Sequence, residues 1–304
     1  MEITDKPKYY LPGLGQSWLV VAVLIGGSIV AGIAAAIIGV VKNMSFDYFT
    51  NNNFALLYAM QMVLPFLFIW LMGYNRSREP FAESVKIDKP HIGKFNFITL
   101  VIVLIVATFA TMLLLDPFNE IFEMPDIFKD MFKNAGNNPI DTLIGVAILA
   151  PLCEEFILRG TIERGLLATY RSKKSGPLKA ILWSAFLFAL IHLNPWQAVA
   201  AFALGCLIGW VYYRTHSIWA AIFIHFVNNF SAIILFLIYP NLDPEATTKQ
   251  IIEAETGSTT LYWAMVAGGA VLLALCIYLL NKYLPKRPQS FVPQKKELIA
   301  EGAE

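Results

Sequence analysis

The stretch APLCEEFILRG, residues 150–160, sets two adjacent carboxyl groups, Glu154 and Glu155, beside Arg159 in an otherwise apolar run. Two further runs break the same pattern: FALIHLN carries His192 and Asn194, and IFIHFVNNFS carries His225, Asn228 and Asn229. These residue types suit acid–base chemistry. A carboxylate can take a proton from a water molecule, and an imidazole or amide can donate hydrogen bonds where negative charge develops. Charged groups in apolar surroundings cost several kcal/mol at bilayer depth on insertion scales, so their presence calls for a reason.

Helical spacing gives the first geometry. Glu155 and Arg159 are four apart and share a face, so acid and base can pair within one helix. Glu154 is turned about 100° away and lacks that partner. His225 and Asn229 are also four apart and present an imidazole and an amide to one space. An acid, a histidine and a His/Asn pair on three helices could converge on one water or one carbonyl.

The elements that must position these residues are membrane helices. The chain has 304 residues, 57% of them hydrophobic and 15% charged, with a mean hydropathy of +0.58. Soluble domains run near 45 to 50% apolar and about 25% charged. The expected fold is all-α, a polytopic integral membrane protein of about eight transmembrane helices. The spans are Ser17 to Val41, Phe54 to Gly73, Asn96 to Leu115, Ile140 to Arg164, Leu178 to Leu193, Trp196 to Tyr213, Ile218 to Tyr239 and Leu261 to Tyr283. The first is too long for a signal-peptide core and reads as an uncleaved anchor. With the N-terminus inside, 19 of the 23 Lys and Arg fall on inner segments, which predicts cytoplasmic termini. Residues 1–304 read as a single membrane domain, with 284–304 a flexible cytoplasmic tail.

Counted from the cytoplasmic ends at 1.5 Å per residue, His225 lies about 12 Å in, Glu154 about 15 Å, Asn229 about 18 Å and His192 about 21 Å. The value for His192 predicts a short or tilted fifth span, with the turn at Asn194 and Pro195 below the outer surface. Arg159 is expected at the membrane edge, its stem free to snorkel towards water. Asn228 reads as a helix-to-helix hydrogen bonder, and Gly205 with Gly209 as a close-packing GxxxG. Arg171 to Lys174 is a topology signal, Trp196, Tyr212, Tyr213 and Trp219 are interface anchors, and Cys153, Cys206 and Cys276 are small core residues.

At these residues the chain resembles the CPBP family of intramembrane proteases (CAAX protease and bacteriocin processing, or Abi), related to the type II CAAX prenyl endopeptidases. EEFILR matches its EExxxR motif, Phe188 with His192 its FxxxH, and His225 with Asn229 its HxxxN. The likeness covers about residues 140–240, a catalytic core. It implies an endopeptidase that hydrolyses a peptide bond of a membrane-associated peptide or protein. Glu154 would activate the attacking water, His192 would position it or stabilise charge, and His225 with Asn229 would form an oxyanion hole. Glu155, Arg159 and Phe188 would be supporting residues.

Zinc stays open as a cofactor: Glu154, His192 and His225 could ligate it, but there is no HExxH, and a metal-independent glutamate mechanism is favoured. Two other classes compete. A proton-coupled transporter also keeps such groups at mid-membrane, though no internal repeat is visible. A non-catalytic scaffold or bacteriocin-immunity factor would keep its phenotype without turnover. The expected partners are the lipid bilayer and a membrane-embedded or lipidated peptide or protein, with no nucleic acid. The short loops suggest a prokaryotic plasma (inner) membrane.

Overall fold

The computed structural model describes residues 10–76, 91–121, 138–170, 173–238 and 246–286, with isolated positions between 122 and 137. The expected tail from 287 onward lies outside the described residues, as does most of the outer loop 116–139 and of the inner loop 74–95. The described residues form helices and no strand. Helices are the way for apolar runs to satisfy every backbone group without water.

The chain runs through α1 (Leu14–Val41), α2 (Phe46–Asn52), α3 (Phe54–Arg76) and α4 (Phe97–Leu115), then a 3₁₀ turn (Asp116–Glu120). Next comes α5 (139–169), a continuous helix whose middle piece, Ala150–Ile157, is flanked by two wider π-helical stretches, Leu143–Leu149 and Leu158–Glu163. Then follow α6 (Gly176–Ile191), α7 (Pro195–Thr215), α8 (Ile218–Ile238), α9 (Thr248–Thr256) and α10 (Thr260–Tyr283).

Among the described residues, five helices are long and apolar enough to cross a membrane: α1, α3 over Phe54–Gly73, α4 with its extension to Phe118, α7 and α10. Each of the eight expected spans coincides with a helix, but two differ from a plain span. Helix α6 has 16 residues, about 24 Å against a hydrocarbon core of about 30 Å, in keeping with the short fifth span read from His192. Helix α5 is interrupted by its wide turns. Two short helices, α2 and α9, were not foreseen. Ser45 and Thr247 cap them, each side chain accepting the N–H three residues on.

Helix pairs α1–α3, α4–α10 and α6–α7 form the layers, and α5 threads between them against α3, α6, α7 and α8. In α3, Pro65 has no N–H to give to the Gln61 carbonyl. Helix α1 meets that carbonyl at Gly27, where any Cβ would collide with the oxygen. The two helices therefore cross closely, which fixes α3 in place.

At the other end of the molecule, buried Arg214 closes the C-terminus of α10. Its guanidinium donates to Pro285 O at 2.6 Å, Asn281 Oδ1 at 3.0 Å, Asn281 O at 3.1 Å and Leu284 O at 2.9 Å. A cation is favoured where unpaired carbonyls end a helix.

Candidate active site

The acidic pair lies on the middle piece of α5, and the two carboxyl groups are held very differently. Glu155 is fully buried. Arg159 Nη1 lies 3.2 Å from its Oε1 and 3.1 Å from its Oε2, and His225 Nδ1 lies 2.8 Å from Oε1. Glu154 is half-buried. Its Oε1 accepts a hydrogen bond from the Tyr58 hydroxyl at 2.8 Å, while Oε2 is buried with no hydrogen-bond partner among the described residues. One glutamate is consumed by structure and the other keeps an oxygen in reserve.

The expectation that Arg159 sits at the membrane edge is corrected: it is fully buried. Besides Glu155 it donates from Nη2 to Gly205 O at 2.9 Å, lies 3.9 Å through Nε from Glu163 Oε2, and stacks its Cζ 4.8 Å above the Phe188 ring. The reason is the second acid. Glu155, Arg159 and Glu163 recur at four-residue spacing down one face of α5, so the cation is satisfied inside and need not reach water. Helix α7 meets this face with its two glycines. Gly205 offers its carbonyl, and a Cβ at Gly209 would stand 2.6 Å from Glu163 Oε2. The GxxxG thus packs closely, as expected: Gly205 against Ala185 and Phe188 of α6, and Gly209 against Ile181 and the Glu163 carboxylate of the buried ion group.

Phe188 on α6 joins the remaining motif residues. Its ring meets the His192 ring edge-on at 5.0 Å and the His225 ring edge-on at 5.2 Å, with the Arg159 guanidinium beside it. His192 follows the last residue of α6, and its Nδ1 lies 2.7 Å from the Phe188 carbonyl. A carbonyl only accepts, so Nδ1 carries the proton and Nε2 of the neutral ring is the free lone pair. His225 is 2% exposed. With Glu155 ionised, its Nδ1–H is the donor, and Nε2 can donate only from the doubly protonated ring. Asn229 gives one amide N–H to Val146 O at 2.8 Å, in the first wide turn of α5. Asn228, expected to bond between helices, instead donates to Asn229 Oδ1 at 3.0 Å, which orients the neighbouring amide.

All three motif helices, α5, α6 and α8, therefore meet, through Glu155–His225, Asn229–Val146, Arg159–Phe188 and Phe188–His225. Neither histidine hydrogen-bonds Glu154 among the described residues. Nor do the described residues contain any group of three or more His, Cys, Asp or Glu disposed to hold a metal ion. Glu154, His192 and His225 are not in such a group, and His225 turns Nδ1 to the Glu155 carboxylate.

The sequence reading passed over Tyr58, Asp141 and Glu163. Asp141, at the start of α5, accepts the backbone N–H of Phe54 at 2.5 Å and of Ala55 at 3.3 Å, which caps α3. Glu163 could have been found from its four-residue step beyond Arg159. Tyr58 carried no local signal, being one of 12 tyrosines on a distant span.

A helical membrane protein with acid, histidine and amide groups gathered inside it defines the class. Residues 136–231, from just before α5 into α8, match the family model described as Rce1-like, type II CAAX prenyl endopeptidase, a match that supports the likeness of this core to the CPBP/CAAX protease family. Comparison with curated proteins and with solved structures returns no match.

Proposed function

We propose that the chain is an intramembrane endopeptidase in which Glu154 activates water. The observation that carries this reading is the unequal binding of the two glutamates: Glu155 is held by Arg159 and His225, while Glu154 Oε2 is buried without a hydrogen-bond partner among the described residues. Glu154 takes a proton from water as its oxygen attacks the carbonyl carbon of the scissile bond. The tetrahedral oxyanion is met by the second amide N–H of Asn229 and by His225 Nε2–H, with Glu155 as counter-charge to the imidazolium. Each such donor contributes about a hundred- to a thousandfold in kcat. Breakdown of the intermediate returns the proton from Glu154 to the leaving amine as the C–N bond breaks. His192, with Nε2 free, orients the water. No step is routed through a metal.

The substrate class we favour is a membrane-bound peptide or bacteriocin precursor in a prokaryotic inner membrane, and the family description adds prenylated CAAX tails as the second class to examine. The test is comparative terminal proteomics of membranes from cells carrying the wild-type protein or Glu154→Ala. New protein termini that vanish in the variant support the reading. Identical termini, with the cellular phenotype retained in Glu154→Ala, make the chain a non-catalytic scaffold or immunity factor.

A further inference from the structure

Tyr58 lies on α3, well outside the 136–231 match, yet its hydroxyl is the only protein donor to Glu154 among the described residues. We propose that Tyr58 is a positioning residue for Glu154, and that the catalytic core is incomplete without α3. This inference rests on the proposed glutamate mechanism.

Three features place the hydroxyl rather than leaving it to chance. Asp141 caps the first two residues of α3 with its carboxylate. Gly145, one turn further along α5, admits the Phe54 ring to a place any Cβ would occupy. The Phe54 ring in turn stacks on Tyr58, centroids 6.4 Å apart and planes at 25°. Asp141, Gly145 and Glu154 all belong to α5, so the first turn of α3 is clamped to the same helix that carries the acid. Tyr58 is only 9% exposed, and its ring has no freedom to swing away.

The chemical consequence follows from which oxygen is held. A carboxylate rotates about its last bond unless an oxygen is fixed. With Oε1 accepting from the phenol, Oε2 is fixed too, and a base must stand within hydrogen-bond reach of the proton it takes. Tyr58 thereby governs turnover rather than substrate affinity.

The kinetics use a quenched peptide spanning a junction whose cleavage depends on Glu154, taken from the terminal proteomics above, with purified full-length protein in detergent. Tyr58→Phe is compared with Tyr262→Phe, which removes the hydroxyl of another buried tyrosine, one that donates to Asp116 at 3.0 Å, away from the acid. The expected result is a fall in kcat of about ten- to a hundredfold for Tyr58→Phe with KM within twofold, and wild-type kcat for Tyr262→Phe. A Tyr58→Phe kcat within twofold of wild type, while Glu154→Gln is inactive, overturns this inference and leaves the glutamate mechanism standing. Equal losses of kcat in both tyrosine variants, tracking their melting temperatures, also overturn it by reducing Tyr58 to a packing role. Turnover in Glu154→Gln, or no Glu154-dependent junction at all, removes the mechanism and this inference together.

Discussion

Glu155 Oε1 and His225 Nδ1 stand 2.8 Å apart, tying α5 to α8 through a carboxylate that Arg159 grips at the same time. Removing one member of a buried, hydrogen-bonded ion group costs about 3 to 5 kcal/mol, because the partner charge is left uncompensated. Glu155→Gln is therefore expected to lower both the melting temperature and activity. Arg159→Gln added to it should cost less than the two single losses summed, by about 0.5 to 3 kcal/mol, since the residues act as one unit. Glu154→Gln, losing no ion pair, should abolish proteolysis and leave the melting temperature nearly unchanged. Calorimetric or fluorescence melting of the wild type, Glu154→Gln, Glu155→Gln, Arg159→Gln and the Glu155→Gln/Arg159→Gln double variant, beside turnover, checks the pattern. Unfolding by Glu154→Gln would reverse the assignment of the two acids.

The close approach at Gly209 makes a second, independent prediction. An added methyl group would stand 2.6 Å from Glu163 Oε2, so Gly209→Ala must push α7 from α5 or displace the carboxylate. A cost of about 1 to 3 kcal/mol is expected, read as a lower melting temperature. Gly268→Ala, where a Cβ meets nothing within 4 Å, should not lower it, and equal melting of the two variants would refute the crowding.

Metal dependence can be decided on purified protein. Activity should persist in a strong chelator, with well under one zinc per chain by elemental analysis. Stoichiometric zinc together with chelator-sensitive turnover would recast Glu154, His192 and His225 as ligands.

The charge bias predicts orientation. A reporter fused after Lys286 should read cytoplasmic, and one inserted at Glu253 in α9 should read external. A cytoplasmic signal at Glu253 would remove the eight-span topology.

What the sequence could show was set by how local each signal is. Motif spacing brought out Glu154, His192, His225 and Asn229, because a four-residue step puts side chains on one helix face whatever the tertiary fold. Hydropathy brought out the helices, because a bilayer demands length and apolarity. Burial of Arg159 was missed because counting positive charges treats every Arg near a span end as a surface marker. Arg159 and Arg214 are instead spent inside, one on two acids and a carbonyl, the other on the end of α10. Tyr58 and Asp141 are tertiary partners, far apart in the chain from what they hold, and no periodicity reveals such pairs. The wide turns of α5 were equally invisible, since LIGVAIL and LRGTIE contain no residue that demands i to i+5 bonding.

Those two turns give the acidic pair unusual mechanical company. A π-helical turn is an α-helix with surplus residues wound in, and such bulges gather at functional sites. Elsewhere in a helix, deleting one residue rotates everything beyond it by about 100°. In Leu143–Leu149 or Leu158–Glu163 the same deletion can be taken up by tightening one loop of the coil. The eight residues from Ala150 to Ile157 thus lie between two reserves of chain length. A one-residue deletion in Leu143–Leu149 would leave Glu154 and Glu155 at Tyr58, Arg159 and His225, the partners that hold them.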